Sequence, residues 1–330
     1  MQSNNSFFAA PDLDATIDRN PLIISPDLTL QGAIALMSQA KGSQCQLNNH
    51  QLAKQNQEQL EFKVASCALV MEGQEITGIL TERDIVKLTA AGLDFQEVKV
   101  ADVMTSSVVT LKEDSFPDIF AALFLFRRYR IRHLPLLDRE NRLLGIISPG
   151  TIRNAMRPAN LLKLRRVADV MSKDIVSADL HSSVLDLAKL MADNRVSCIV
   201  ITEADHDEEI IFPRGIVTER DIMQFQSLQL DLSRTKAQEV MSSPLFLLSP
   251  EDSLLMAHQE MEQKRVRRLV VSWNWGRGLG IVTQTSLLKI FDPIEMHNVI
   301  ESLQNTVSQL EQENEQLKAK LQVDELPDGK

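Results

Sequence analysis

Cysteine is scarce: Cys45, Cys67 and Cys198 are the only three in 330 residues, and their spacing matches no metal motif. One thiol is left over in any pairing, so a disulfide framework is excluded and a reducing compartment is expected. Positive charge is in deficit too. A formal net charge of -10 denies the chain the basic face that a phosphate backbone requires, so no nucleic-acid partner is expected. The longest apolar run, Ile119 to Phe126, falls far short of the roughly 20 residues that cross a bilayer. The opening Met1-Gln2-Ser3-Asn4-Asn5 lacks the basic and apolar blocks of a signal peptide. There is no Ser/His/Asp or Cys/His set, no Walker loop and no paired-carboxylate motif, and the six histidines show no ligand spacing. The expectation is a soluble cytoplasmic chain without catalysis, metal site or membrane contact.

What the sequence has instead is repetition. Gly-apolar-apolar-Thr/Ser occurs at Gly78–Thr81, Gly145–Ser148, Gly215–Thr218 and Gly280–Thr283, with glycine intervals of 67, 70 and 65 residues. Val-Met followed by a small polar residue occurs at Val103-Met104, Val170-Met171 and Val240-Met241, with intervals of 67 and 70. Two unrelated markers share one period. Within each unit a short apolar segment leads to a helical pattern, as in Leu187, Leu190 and Met191. Two β-branched strands follow, such as Cys198–Ile201 and Arg214–Val217, and the last runs directly into a second helix. The predicted unit is β-α-β-β-α, and a single copy cannot bury both faces of so short a sheet. Four repeats should therefore pair into two modules of mixed α/β (α+β) class. Repeat 1 alone carries a Gln/Asn-rich stretch, 42–63, which reads as an exposed inserted loop or a frayed helix.

The unit, its Val-Met start and its Gly-apolar-apolar-Thr-Glu-Arg-Asp ending resemble the cystathionine β-synthase (CBS) domain, whose tandem pairs are called Bateman modules. The resemblance spans roughly residues 22 to 292. It is strong in repeats 1 and 3, through Thr81-Glu-Arg-Asp84 and Thr218-Glu-Arg-Asp221, and weaker in repeats 2 and 4, which end Ser148-Pro-Gly-Thr151 and Thr283-Gln-Thr-Ser286. It implies a binding module for adenosine-containing ligands such as AMP, ADP, ATP or S-adenosylmethionine, with no required cofactor. Magnesium is a candidate companion of the phosphates.

The residues carry their own chemistry. Thr81 and Thr218 stand where a strand gives way to a helix, and the open N–H groups there favour a phosphate. Asp84 and Asp221, three residues on, could accept both hydroxyl hydrogens of a ribose. The same spacing also makes a capping box, which needs no ligand. Ser148 and Thr283 hold the N-cap position in repeats 2 and 4, but Thr151 and Ser286 replace the acid, so one acid-bearing site per module is expected. Basic residues fall in the complementary repeats, Arg127 to His133 and Lys264 to Arg268. Of these Arg132 and Arg267, nearest the strands, are the best placed to meet a phosphate.

From Ile300 the apolar spacing alternates three and four through Leu303, Val307, Leu310, Asn314, Leu317 and Leu321. β-Branched residues at a with leucine at d, and one asparagine at a, favour a parallel dimer. The expected organisation is a tail over 1–21, module 1 over 22–160, module 2 over 161–292, a coiled-coil helix over 293–323 with its heptads in 300–321, and a tail over 324–330. The expected function is an adenine-nucleotide sensor that signals by conformational change in a homodimer to a downstream signalling protein. The alternatives are the sensor portion of a histidine kinase or cyclase, and a dimerisation scaffold that binds no ligand.

Overall fold

The structure, a computed structural model, describes residues 14–39, 65–115, 119–156, 162–163, 165–204 and 211–291. Residues 1–287 form one compact unit and 288–330 another. The insertion 42–63 and the heptads of 300–321 lie outside the described residues. Among the described residues no helix is long and apolar enough to cross a membrane.

The chain begins with a single 3-10 turn (Asp14–Thr16) and strand β1 (Ile17–Asp18). Repeat 1 then follows the predicted order: β2 (Ile23–Ile24), α1 (Leu30–Gln39), β3 (Cys67–Glu72), β4 (Glu75–Thr81) and α2 (Glu82–Ala90). After a one-turn helix α3 (Val100–Val103) comes repeat 2: β5 (Leu111–Lys112), α4 (Ile119–Tyr129), β6 (Leu134–Leu137), β7 (Leu143–Ile147) and α5 (Pro149–Met156). A 3-10 turn (Val167–Asp169) leads to repeat 3: β8 (Ser177–Asp179), α6 (Val184–Asn194), β9 (Cys198–Ala204), β10 (Ile211–Thr218) and α7 (Glu219–Ser227). Helix α8 (Ala237–Val240) precedes repeat 4: β11 (Leu247–Leu248), α9 (Leu254–Gln263), β12 (Arg268–Trp273), β13 (Gly278–Thr283) and α10 (Gln284–Leu287). In every repeat the first strand lies parallel to the second and the second antiparallel to the third.

The first helices bury one stripe at matching positions: Leu30, Ala33, Ile34 and Met37 in α1, and Val184, Leu187, Ala188 and Met191 in α6. This is the i, i+3, i+4, i+7 spacing that puts apolar groups on one face of a helix. Ser183 and Ser253 cap α6 and α9, accepting from the amides of Asp186 and Met256 at 3.1 Å. The middle strands are buried on both faces, as Cys67 to Val70 in β3 show. Within module 1 the sheets face each other: Cys67, Leu69 and Ile79 of repeat 1 share a cluster with Ile146 of repeat 2. A repeat standing alone would expose that cluster to water.

The two sequence markers turn out to be one contact. The Val-Met segment does not lie on the repeat it precedes. Thr105 pairs with Ile79 of repeat 1, Ser242 with Ile216 of repeat 3, and Ser172 with Ile281 of repeat 4, each as an antiparallel bridge. β1 completes the set, pairing antiparallel with β7 of repeat 2 through Ile17↔Ile147 and Asp18↔Ile146. Each segment thus crosses to the other repeat of its module, and the two repeats are laced together. The repeated glycine makes room for the crossing. A Cβ on Gly78 would lie 2.8 Å from Met104 Cγ, one on Gly215 2.6 Å from Met241 Cγ, and one on Gly280 3.3 Å from Met171 Sδ. At Gly145 the neighbour is Ile17 Cγ2 at 2.6 Å. The first repeat lacks a Val-Met because Ile17 takes that seat. The segment 1–21, expected as a tail, therefore contributes residues 14–18 to module 1, where Thr16 is fully buried.

The modules join through repeats 1 and 3. Met223 of α7 sits in the core cluster of repeat 1, and Val86 of α2 in that of repeat 3. Gln226 Nε2 donates to Thr89 Oγ1 at 3.0 Å across the same seam. Between repeats 2 and 4, Arg153 pairs with Glu262 at 2.8 Å.

Candidate functional site

The Thr-x-x-Asp ending folds as a reciprocal cap. Thr81 N and Oγ1 both donate to Asp84 Oδ2, at 3.0 and 2.7 Å, and Asp84 N donates back to Thr81 Oγ1 at 3.4 Å. Thr218 and Asp221 repeat this with 2.8, 2.8 and 3.4 Å. Repeats 2 and 4 keep the box without the acid. Ser148 N donates to Thr151 Oγ1 at 2.9 Å and Thr151 N to Ser148 Oγ at 3.2 Å; Thr283 and Ser286 exchange bonds of 3.2 and 3.1 Å. All four positions satisfy the helix start, and only Asp84 and Asp221 add a carboxylate to it. Burial raises the Asp221 carboxyl above its ordinary range, opposed by the Thr218 bonds.

Asp84 lines a cavity of about 250 Å³ within module 1. The end of β4 and the first turns of α2 give Ile79, Thr81, Arg83, Asp84 and Lys87. The crossing segment gives Thr105, Ser107, Val108 and Val109, and the α4–β6 turn gives Arg130, Ile131, Arg132 and His133. The cavity is thus a product of the lacing, lined by both apolar groups and cations. Arg130 holds its place at φ 54°, in the left-handed region; Arg195 and Arg265, at the matching turns of repeats 3 and 4, share that angle. Such a backbone costs a residue with a Cβ about 1 kcal/mol or more.

Of the residues singled out from the sequence, Thr81, Asp84 and Arg132 meet in this cavity. Ser148, Thr283, Arg132 and Arg267 line a second one, about 120 Å³, together with Glu82, Ser66, His133 and Arg268. Thr218 and Asp221 border neither of these two. Arg132 and Arg267 are not open phosphate ligands: each is held by a glutamate of the opposite module. Arg132 Nη2 donates to Glu219 Oε2 at 2.6 Å, and Arg83 Nε donates to Glu219 Oε1 at 3.2 Å. In mirror image Arg220 Nε donates to Glu82 Oε1 at 3.1 Å and Arg267 Nη1 to Glu82 Oε2 at 3.3 Å. Glu82 and Glu219 are buried, with 4% and 1% of their side chains exposed. Sequence reasoning passed over the Glu-Arg pair inside the Thr-Glu-Arg-Asp motif. Its recurrence in repeats 1 and 3, opposite arginines that recur in repeats 2 and 4, was the available signal.

His133, the last of the basic run and a structural residue on the sequence reading, lies beside these pairs. Its Nε2 lies 2.7 Å from Ser66 Oγ, and it borders both cavities. Burial, helped by the Arg132 charge, pushes its pKa down to about 3, so the ring is neutral at pH 7. Cys67 and Cys198 lie directly across the ladder from Thr81 and Thr218, and burial raises both thiols. Among the described residues no cluster of His, Cys, Asp and Glu could hold a metal ion.

Paired β-α-β-β-α repeats, each ending in a strand-to-helix cap, define the class of tandem-module proteins to which this chain's architecture corresponds. The CBS domain family model matches residues 100–158, 167–227 and 237–292, more than half of the chain, and the chain belongs to that family. Each match begins in a crossing segment. Residues 23–90 repeat the same order of elements.

Inosine-5'-monophosphate dehydrogenase of Methanocaldococcus jannaschii is 22% identical over 291 residues, covering 88% of this chain and 50% of that protein. An uncharacterized 33.4 kDa protein in a ribosomal RNA operon of Thermofilum pendens is 29% identical over 175 residues, 50% of this chain and 55% of that protein. The chain spans about half the length of these curated relatives. Among solved structures, protein MJ1225 from Methanocaldococcus jannaschii aligns with a TM-score of 0.67 at 18% identity, covering 86% of this chain and 100% of that one. An uncharacterized conserved protein from Pyrococcus horikoshii aligns at 0.54 with 14% identity, over 85% and 99%. These similarities establish a shared fold.

Proposed function

We propose that the chain is a non-catalytic regulatory protein that binds an adenosine-type ligand in the module 1 cavity and responds by a change in packing. The observation that carries this is the composition of that cavity. The apolar groups Ile79, Val108, Val109 and Ile131 suit the faces of a base, the carboxylate of Asp84 suits a ribose diol, and the cations suit phosphate. Both Thr81 bonds fall on Asp84 Oδ2, and in the reading offered here Oδ1 takes the ribose hydroxyls. At about 250 Å³ the space is slightly below the common range of about 300–1,000 Å³ for small-molecule clefts. It suits a single nucleoside better than a dinucleotide. A bound ligand shifts packing only through different affinity for two arrangements. The seam between repeats 1 and 3 and the Glu219–Arg132 pair are the contacts nearest the cavity that could differ between them.

A parallel homodimer through 300–321, a downstream signalling partner and a cytoplasmic site of action complete the reading, on the sequence pattern alone. A scaffold without a ligand is the second reading, favoured by the four closed capping boxes. A thermal-shift series with adenosine, AMP, ADP, ATP and S-adenosylmethionine decides between them. A ligand at one hundred times its Kd adds about 2.7 kcal/mol, a visible upward shift. Unchanged melting with all five leaves the scaffold.

A further inference from the structure

We propose that Glu219, a residue of module 2, sets the charge preference of the module 1 cavity and makes it a site for monophosphates rather than triphosphates; this rests on the nucleotide reading above. Glu219 borders neither cavity described above, yet its carboxylate accepts from two arginines that do wall the module 1 cavity: Arg132 at 2.6 Å and Arg83 at 3.2 Å. With 1% of its side chain exposed it is screened less by water than a surface carboxylate, so its charge bears on those guanidiniums. A phosphate chain entering the cavity meets two arginines whose charge is already shared with a fixed internal carboxylate. Lys87 and Arg130 are the other cations of the wall, and Asp84 offsets part of their charge. Two negative charges suit such a wall; four would press against Glu219 and Asp84. The ion-pair arrangement is built twice, since Glu82 of module 1 engages Arg220 and Arg267 of module 2. Each module therefore supplies a buried counterion to two arginines of the other.

The test measures Kd by titration calorimetry for adenosine, AMP, ADP and ATP on the full chain, for wild type, Glu219→Gln and the double variant Arg83→Gln/Glu219→Gln. Glutamine keeps the shape and acceptor of Glu219 and removes its charge. Removing that charge at roughly 7 Å, at an effective dielectric of about 40, is worth about sevenfold for each unit of ligand charge, and the two extra charges of ATP, lying farther out, together come to about tenfold. The wild type is expected to bind AMP at least as tightly as ATP. Glu219→Gln is expected to move the ATP:AMP affinity ratio about tenfold toward ATP, and the double variant to move it most of the way back. A ratio unchanged in Glu219→Gln with AMP still bound overturns this assignment alone, as does a wild type that prefers ATP. Absence of binding by all four ligands to wild type overturns the nucleotide reading and this assignment with it.

Discussion

Replacing Gly215 by alanine should loosen the lacing of module 2 by an amount the geometry sets. The new methyl would lie 2.6 Å from Met241 Cγ and 2.9 Å from Met241 Cβ, well inside van der Waals contact. Methionine is adaptable at its end, but Cβ moves only with the backbone. That backbone is pinned next door, where Ser242 N donates to Ile216 O at 3.0 Å and Ile216 N to Ser242 O at 3.2 Å. Overpacking of this kind costs about 1–3 kcal/mol, and loss of the bridge about 1 kcal/mol for each bond. The expected destabilisation is about 2–3 kcal/mol, a fall of roughly 3–5 °C in Tm for a chain of this size. Denaturant unfolding of Gly215→Ala, Met241→Ala and the double variant checks it. Shortening Met241 removes the Cγ and Sδ clashes and leaves only the Cβ contact, so the double variant should be more stable than the sum of the singles by at least about 1 kcal/mol. Additivity within about 0.5 kcal/mol would refute the shared seat.

Arg195→Gly should raise stability by about 0.5–1 kcal/mol in thermal melts, because glycine adopts the φ of 54° without strain. Arg130→Gly should gain similarly while weakening any phosphate ligand several-fold, a contrast that calorimetry reads. His133 gives a pH dependence. Its folded-state pKa of about 3 lies below the value near 6.5 in the unfolded chain, so the unfolded state takes up the proton first. The stability it contributes is full above pH 6.5 and is lost as pH falls toward 3. Tm should therefore drop between pH 7 and pH 4.5, and His133→Gln should flatten that drop; an unchanged slope contradicts the burial of a neutral ring.

The order of elements was legible in the sequence because it is written locally. Stripes such as Leu30, Ala33, Ile34 and Met37 and the β-branched strand pairs depend on neighbours a few residues away. The lacing was not legible. Gly280 and Met171 meet although the whole of repeat 3 lies between them in the chain, and Ile17 does the work of a Val-Met without resembling one. The cap residues Thr81 and Asp84 were found because their pairing spans three positions. Glu219 and Arg83 were missed because 136 residues separate them, and a buried ion pair between modules leaves no periodic trace. Arg132 and Arg267 were seen as basic groups, but their glutamate partners could be read only once the modules were in place.

Titration of AMP into the full chain and into Asp84→Asn tests the central claim most directly. Asparagine retains an acceptor for the amide of Thr81, so the cap survives and Tm without ligand should change by only a few degrees. The account predicts saturable binding to wild type, with affinity for the site bordered by Asp84 reduced at least tenfold in the variant. Equal affinity and stoichiometry in the two proteins would contradict it, and would leave Asp84 as a helix cap and nothing more.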